Sequence, residues 1–417
     1  MVSFPQAPED LSSMTSLEQK FMGLGADNAP GQEVRQDTSH LDAQMRGAKI
    51  DGIPVDFSHG DVDAFPPTPG AREAWEAGYD VGSKQAYTEY RGDAGIRERV
   101  ATHLAAFTGA PVSADKELII TPGTQGALFL ALGSVVEQGT KVAIVEPDYF
   151  ANRKLVTFFG GEIIPIPLKN DGDVTDHGLD LDQLEQAFKD GTKALVFSTP
   201  NNPTGTVYSQ SCIEAIAALA AKYDATIIVD QLYSRLLYSG ETYAHLRACP
   251  SRPENLITIM GPSKMESLSG FRLGVAFGSA RLIERMEKLQ AIVSLRAGGY
   301  NQAALNTWFQ EPEGWMVDRI AQHEAIRDAL LTIFRGAGLQ TATTQAGSYV
   351  FPELPELVVS PDTFVQLLRH QAGVTVTPGA EFGPHSKNYI RLNFSQDETA
   401  AVAAANRIVE MVERYRA

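Results

Sequence analysis

From Glu117 onward, short apolar runs alternate with stretches of helical period. Leu118–Thr121, Val142–Glu146, Ile163–Ile166, Leu195–Ser198, Thr226–Asp230, Ile257–Met260 and Val275–Phe277 read as strands. Thr124–Gln138, Tyr149–Phe159 and Ser211–Tyr223 read as the helices between them. Runs such as ATIIVD, apolar and β-branched on both faces, belong to strands covered on both sides, and the alternation predicts a mostly parallel sheet between helical layers. In such sheets ligands bind beyond the carboxyl ends of the strands.

Residues 281–335 are dominated by helical periodicity. Shorter strand candidates follow at Ser348–Phe351, Val374–Thr377 and Tyr389–Phe394, with helices at Thr363–His370 and Glu398–Tyr415, which predicts a second, smaller α+β unit. Residues 1–45 are polar, with one amphipathic stretch at Leu17–Leu24 before Gly25, Pro30 and Gly31, and read as an arm with a turn or two of helix. Gly60–Gly70 is an acidic, proline-rich loop.

Composition narrows the function classes. A formal charge of −16 repels nucleic acid and anionic lipid, so neither is an expected partner. No apolar run is long enough to span a membrane, and the N-terminus lacks a basic segment followed by an apolar one. Cys212 and Cys249 are the only cysteines, too few for a disulfide framework or a Cys-rich zinc site, which points to a reducing cytoplasm. The histidines are scattered and His323-Glu324 lacks a second histidine, so no catalytic metal is expected. There is no Gly-x-Ser-x-Gly elbow, and Gly23-Leu24-Gly25 lacks the third glycine of a dinucleotide site.

Four segments carry chemistry. In GPSKMESLSGFRLG (residues 261–274), Lys264 follows a strand, and Arg272 lies between Gly270 and Gly274. A pocketed lysine amine is a nucleophile, and an arginine fork between small residues can close on a phosphate. In STPNNPTG (198–205), prolines and a glycine fix a turn from which Asn202 can point its amide at a ligand hydroxyl; a plain β-turn is the alternative. In ATIIVDQLY (225–233), Asp230 ends a buried strand, where a carboxylate needs a cation or hydrogen bonds, and Tyr233 faces the same crevice; helix capping is the alternative. In ITPGTQGAL (120–128), a strand leads through Gly123 into a helix whose N-terminus, with Thr124 and Gln125, can bind an anion, although no Gly-Lys-Ser/Thr follows to make it a P-loop.

One ligand answers all four: a phosphate, a group that bonds covalently to lysine, a cationic ring nitrogen and a phenolic oxygen. Pyridoxal 5′-phosphate has each. The order NPTG, Asp-x-x-Tyr, Ser-Lys and Gly-x-Arg-x-Gly resembles the fold-type I, class I/II aminotransferases, aspartate aminotransferase-like, from about Val55 to the C-terminus. The resemblance implies a three-layer α/β/α large domain with a mostly parallel mixed sheet (76–310) binding the cofactor. It also implies a smaller α+β domain (46–75 with 311–417) and an N-terminal arm (1–45).

It implies that Lys264 bonds the cofactor and moves protons, that Asp230 keeps the ring nitrogen protonated, and that Tyr233 and Asn202 bond the ring oxygen. Gly123, Thr124, Gln125, Ser263 and Arg272 would hold the phosphate, and Tyr149 in EPDYF would stack on the ring. Tyr90 in EYRGDAG would reach the phosphate of the neighbouring subunit in a homodimer with shared sites. Gly60 in SHGDVD and Arg391 in NYIRLNFS would face the substrate α-carboxylate. Arg296 in SLRAGGYNQ would bind a side-chain carboxylate across the subunit boundary or serve as interface structure, with Asn301 near the neighbouring cofactor and His59 as a further candidate for specificity. The sequence departs from the family's SxSK pattern with Gly261, so the phosphate cup lacks one hydroxyl.

The implied activity is transfer of an amino group from an L-amino acid, with aspartate or glutamate as candidates, to a 2-oxo acid. The same residues also serve elimination, cyclisation or oxidation on this scaffold. A non-catalytic sensing domain would need a DNA-binding segment, and residues 1–45 show no basic helix-turn-helix pattern.

Overall fold

The structure, a computed structural model, describes residues 15–25, 29, 31, 32, 39–169 and 177–417. Residues 1–14 of the arm and Pro30 lie outside the described residues. In chain order the strands are β1 (Val55–Asp56), β2 (Leu118–Pro122), β3 (Lys141–Glu146), β4 (Glu162–Lys169), β5 (Gly178–Leu179), β6 (Ala194–Ser198) and β7 (Thr226–Asp230). After these come β8 (Leu256–Met260), β9 (Leu273–Gly278), β10 (Tyr349–Val350), β11 (Val374–Thr375), β12 (Thr377–Pro378) and β13 (Ile390–Asn393).

Eight strands form one sheet in the order β2-β9-β8-β7-β6-β3-β4-β5. The inner pairs β8–β7, β7–β6, β6–β3 and β3–β4 are parallel, while β9 is antiparallel to both β2 and β8, and β5 is antiparallel to β4. Alternate residues of each strand enter opposite cores, which is what makes a three-layer structure. Ala143, Val145, Leu195, Phe197, Ile227 and Val229 pack against helices Leu181–Lys189 and Gln210–Lys222. Val142, Ile144, Val196, Ile228, Ile257 and Ala276 pack against helices Gly123–Gly133, Phe150–Phe158 and Ala280–Val293. Burying a β-branched side chain contributes about 1.5–3 kcal/mol, so continuous apolar strands between two helical layers form the stable centre of the sheet.

A separate core joins Val55, Phe57 and Phe65 to helices Trp315–Gly336, Pro361–Ala372 and Glu398–Tyr415 and to the antiparallel sheet β10-β13-β12. Leu41, in the stretch read as arm, is also buried in this core. The arm helix Ser16–Met22 is closed by a Thr15/Glu18 capping box and buries no residue.

Several boundaries differ from the sequence expectation. The helix expected to reach Gln138 ends at Gly133, where Leu289 and Phe159 leave no space for a side chain. Residues 294–314, read as helical, hold only short turns of helix, and Val374–Thr377 splits into β11 and β12 with different partners. β4 continues past Ile166 to Lys169 despite Pro165 and Pro167. Glu162 donates its N–H to Thr140 on the β3 side, so in strand alternation both prolines face away from β3, toward an edge that β5 meets only at Leu168 and Lys169.

Candidate active site

The direction of β9 builds the site. Because β9 runs against its neighbours, its first residues lie at the same sheet edge as the carboxyl ends of β2, β6, β7 and β8. That edge therefore gathers Gly123, Asn202, Asp230, Lys264 and Arg272. A crevice of about 700 Å³, partly open to solvent, lies there, lined by Thr124, Gln125, Tyr149, Asn202, Asp230, Tyr233, Ser263, Lys264 and Arg272. Pro200 of the STPNNPTG turn also lines it, and Leu128, Ser198, Leu232, Ser269 and Tyr349, which were not singled out from the sequence, complete the lining.

One end of the crevice is a cradle. A Cβ at Gly274 would stand 2.3 Å from the Gly123 carbonyl carbon and 2.4 Å from the Thr124 nitrogen, so the two backbones touch only because position 274 has no side chain. A Cβ at Gly123 would meet Arg272 Nη2 at 2.6 Å. Arg272 has a left-handed backbone, φ 54°, an arrangement that costs on the order of 1 kcal/mol or more and that aims its fork at the helix N-terminus. Its Nη1 donates to Ser269 O at 3.1 Å. Gly261 has a steric reason: a Cβ there would come within 2.9 Å of Thr124 Cγ2, so Thr124 fills the space a serine would need.

Arg391, on β13, stands against the lining residues Asn202 and Tyr349. It donates to Asn202 Oδ1 (3.1 Å), Ser58 O (2.9 Å) and Thr377 Oγ1 (3.3 Å), while its buried Nε has no partner. Gly60 lies on the same loop as Ser58, backed by Ser395 at 3.2 Å from where its Cβ would be.

Within the crevice, Asp230 Oδ1 accepts from Leu232 N–H at 2.9 Å. Burial pushes Asp230 up to about 6, with the Leu232 N–H and Lys264 pulling the other way. Asp148, not singled out from the sequence, is buried and ties the loops together. It accepts from Tyr149 N–H (2.6 Å), Ser198 N–H (2.9 Å) and the Ser198 hydroxyl, and Ser198 Oγ in turn accepts from Asn202 N–H at 3.0 Å. Burial pushes Asp148 up to about 8, against these hydrogen bonds.

Tyr90 and Arg296 do not line this crevice. Arg296 donates to Thr88 O at 2.7 Å and stands 5.5 Å from the Tyr90 ring centre and 5.8 Å from that of Tyr87, on an exposed face. Asn301 accepts from Trp75 Nε1 (2.9 Å) and donates to Phe271 O (3.0 Å), next to Arg272. His59 points to solvent beside Asp56, at 3.4 Å.

Residues 53–408 match the model of the family described as aminotransferase class I and II. The chain belongs to that family. A putative aminotransferase, YugH, of Bacillus subtilis (strain 168) is 30% identical over 75% of this chain and 81% of its own length. The aspartate aminotransferase of Sulfolobus acidocaldarius is 28% identical over 91% of this chain and 94% of its own. The crystal structure of an aspartate aminotransferase from Rhodobacter sphaeroides 2.4.1 superposes with a TM-score of 0.91 at 61% identity, covering 96% of this chain and all of the other. This aminotransferase is thus a transferase acting on amino groups, with amino acids and 2-oxo acids as its substrate classes. Among the described residues no helix is long and apolar enough to cross a membrane.

Proposed function

We propose that this aminotransferase holds pyridoxal 5′-phosphate in the crevice and takes its amino group from an acidic L-amino acid. What carries the reading is the convergence of Lys264, Asp230, Asn202, Tyr233 and Arg272 on one crevice with Arg391 against its lining. The residues fit the group: the side-chain-free contact of Gly274 with Gly123 leaves a cradle for the phosphate under Arg272 and the helix N-terminus. Asp230 offers a carboxylate to a protonated ring nitrogen, Tyr233 and Asn202 offer donors to a ring oxygen, and Tyr149 offers a face. When bound, pyridoxal phosphate supplies an electron sink that acidifies the substrate's Cα–H.

Arg391 would orient the α-carboxylate, its two Nη atoms set by Asn202 Oδ1 and Ser58 O and its unpartnered Nε left for the ligand, with Gly60 leaving the approach open. Lys264 Nζ would take the Cα proton and return it. Two cores meet at the crevice, and we take the small domain as 46–75 with 311–417 and the large domain as 76–310, with Leu41 of the arm packed on the small one. An amino-donor screen with product identification tests the function. Aspartate and glutamate should each yield their 2-oxo acid while an acceptor oxo acid is aminated; ammonia release in place of amination would mean elimination.

Tyr90 and Arg296 would complete the site of a second copy. In support, large apolar side chains are exposed in these segments of the chain, Tyr87 at 80% beside Arg296 and Ile292 at 81% four residues before it, the kind of surface an isologous dimer covers. Mixing Lys264→Ala with Tyr90→Ala protein is the test. Hybrid dimers would carry one doubly damaged and one intact site, so activity should return on mixing. A fully active monomer would end the shared-site reading.

Arg296 would then pair with the substrate's side-chain carboxylate from across the boundary. Leaving that carboxylate buried and unpaired costs about 2–5 kcal/mol. Arg296→Ala should therefore lower kcat/KM for aspartate and glutamate by roughly 30- to 5,000-fold, and change little for an apolar donor. Equal losses for both kinds of donor would make Arg296 an interface residue only.

A further inference from the structure

Tyr349 was not anticipated from the sequence, yet it reaches the centre of the crevice. Its hydroxyl meets that of Tyr233 at 2.5 Å, and the two buried rings cross edge to face at 5.3 Å. Tyr233 follows β7 of the large sheet, whereas Tyr349 lies on β10, opposite Asn393 of β13. The Arg391 guanidinium stands 4.3 Å from the Tyr349 ring centre. The approach depends on Gly347, with φ +77° and Tyr233 Cγ only 3.1 Å from where a Cβ would be. Tyr349 thus links the residue proposed to face the cofactor's ring oxygen with the one proposed to hold the substrate.

One proton lies between the two phenol oxygens, so one tyrosine donates and the other accepts. Burial raises both. For Tyr349, however, Lys264, Arg391 and the hydrogen bond it shares with Tyr233 outweigh burial and leave it below the ordinary phenol value. Tyr233 is held well above that value, by burial first and then by Tyr349. Either hydroxyl can donate across this contact, but the Arg391 cation 4.3 Å from the Tyr349 ring polarises that phenol the more strongly, which favours the arrangement in which Tyr349 O–H donates to Tyr233 Oη. The proton of Tyr233 is then free to turn toward a ligand oxygen in the crevice, and donation to Tyr233 makes it a stronger donor in its turn.

We infer that Tyr349 is a positioning residue that acts through Tyr233, fixing its hydroxyl proton toward the ring oxygen of the cofactor. The inference rests on the pyridoxal phosphate reading above. A donor on that oxygen stabilises its negative charge and so lowers the pH midpoint of the bound cofactor's visible absorption band. Tyr349→Phe keeps the ring beneath Arg391 and removes only the hydroxyl. Its midpoint should rise by roughly half a pH unit, the scale of one weakened hydrogen bond.

The comparison that decides is Tyr349→Phe, Tyr233→Phe and the double variant, each reconstituted with pyridoxal phosphate and titrated by absorbance. Tyr233→Phe should raise the midpoint further, and the double variant should match Tyr233→Phe alone, because Tyr349 has no route to the cofactor once the Tyr233 hydroxyl is gone. An unmoved midpoint in Tyr349→Phe, or an equal shift in the Tyr233→Phe background, would overturn the inference while leaving the cofactor reading intact. A wild-type protein that gains no visible band with pyridoxal phosphate would overturn both.

Discussion

Lys264→Ala will abolish amino transfer while leaving a folded protein that still takes up pyridoxal phosphate. Lys264 is the amine that lines the crevice beside Asp230 and Tyr233. Loss of the proton carrier alone lowers a rate by about 10²–10⁴-fold. The loss should lie at the upper end of that range or beyond, because the same amine is also proposed to anchor the cofactor. Borohydride should fix pyridoxal phosphate on Lys264 in the wild type and on no lysine in the variant. Label on a different lysine of the wild type would show that the crevice uses another amine.

Asp230→Ala should also be strongly damaging. A carboxylate at the end of a buried strand is costly to keep and is retained where a cation offsets it. Without it, the ring nitrogen loses its partner in a site with little water, a penalty on the order of 3–4 kcal/mol in the reaction barrier. Activity within tenfold of wild type would refute the role. The pH dependence provides a second measure. With burial pushing Asp230 up to about 6, the carboxylate is present above that pH and takes up a proton below it. The apo protein's affinity for pyridoxal phosphate should therefore fall as pH drops through about 6, and Asp230→Asn should lose that dependence. The comparison with Asp230→Asn separates this effect from protonation of the phosphate itself.

The parts of this fold that were legible in the sequence are those in which one residue type has one physical reason to be present. Strands β6 to β8 read correctly because a strand buried on both faces tolerates little but apolar side chains, and Asp230 stood out as the polar residue at the end of such a run. Gly274 and Arg272 were legible as a pair because close backbone approach demands glycine. The extent of β4 was not, since Pro165 and Pro167 argue against a strand until the neighbouring edge is known to be mostly unpaired. Asp148 and Tyr349 were illegible for a different reason. Each acts through a partner distant in sequence, Ser198 for one and Tyr233 for the other, and neither spacing nor composition marks a residue whose significance is a contact. Gly347, two residues before Tyr349, was the only local sign. The placement of Arg296 and Tyr90 on one exposed face likewise emerges only once residues 87–90 and 294–296 are brought together.

The pairing of β2 with β9 also bears on how the protein acquires its ligand. Pro122 is in register with Leu273, so the cradle between Gly123 and Gly274 exists only after two distant parts of the chain have found each other at the sheet's edge. A pairing between parts so distant in sequence is expected to form late in folding. A nascent chain therefore has no phosphate site to offer until its sheet is complete. The proposed cofactor would then arrive as a latch on a finished fold rather than as a template for it. By mass action it would shift the balance away from any state in which that edge has opened.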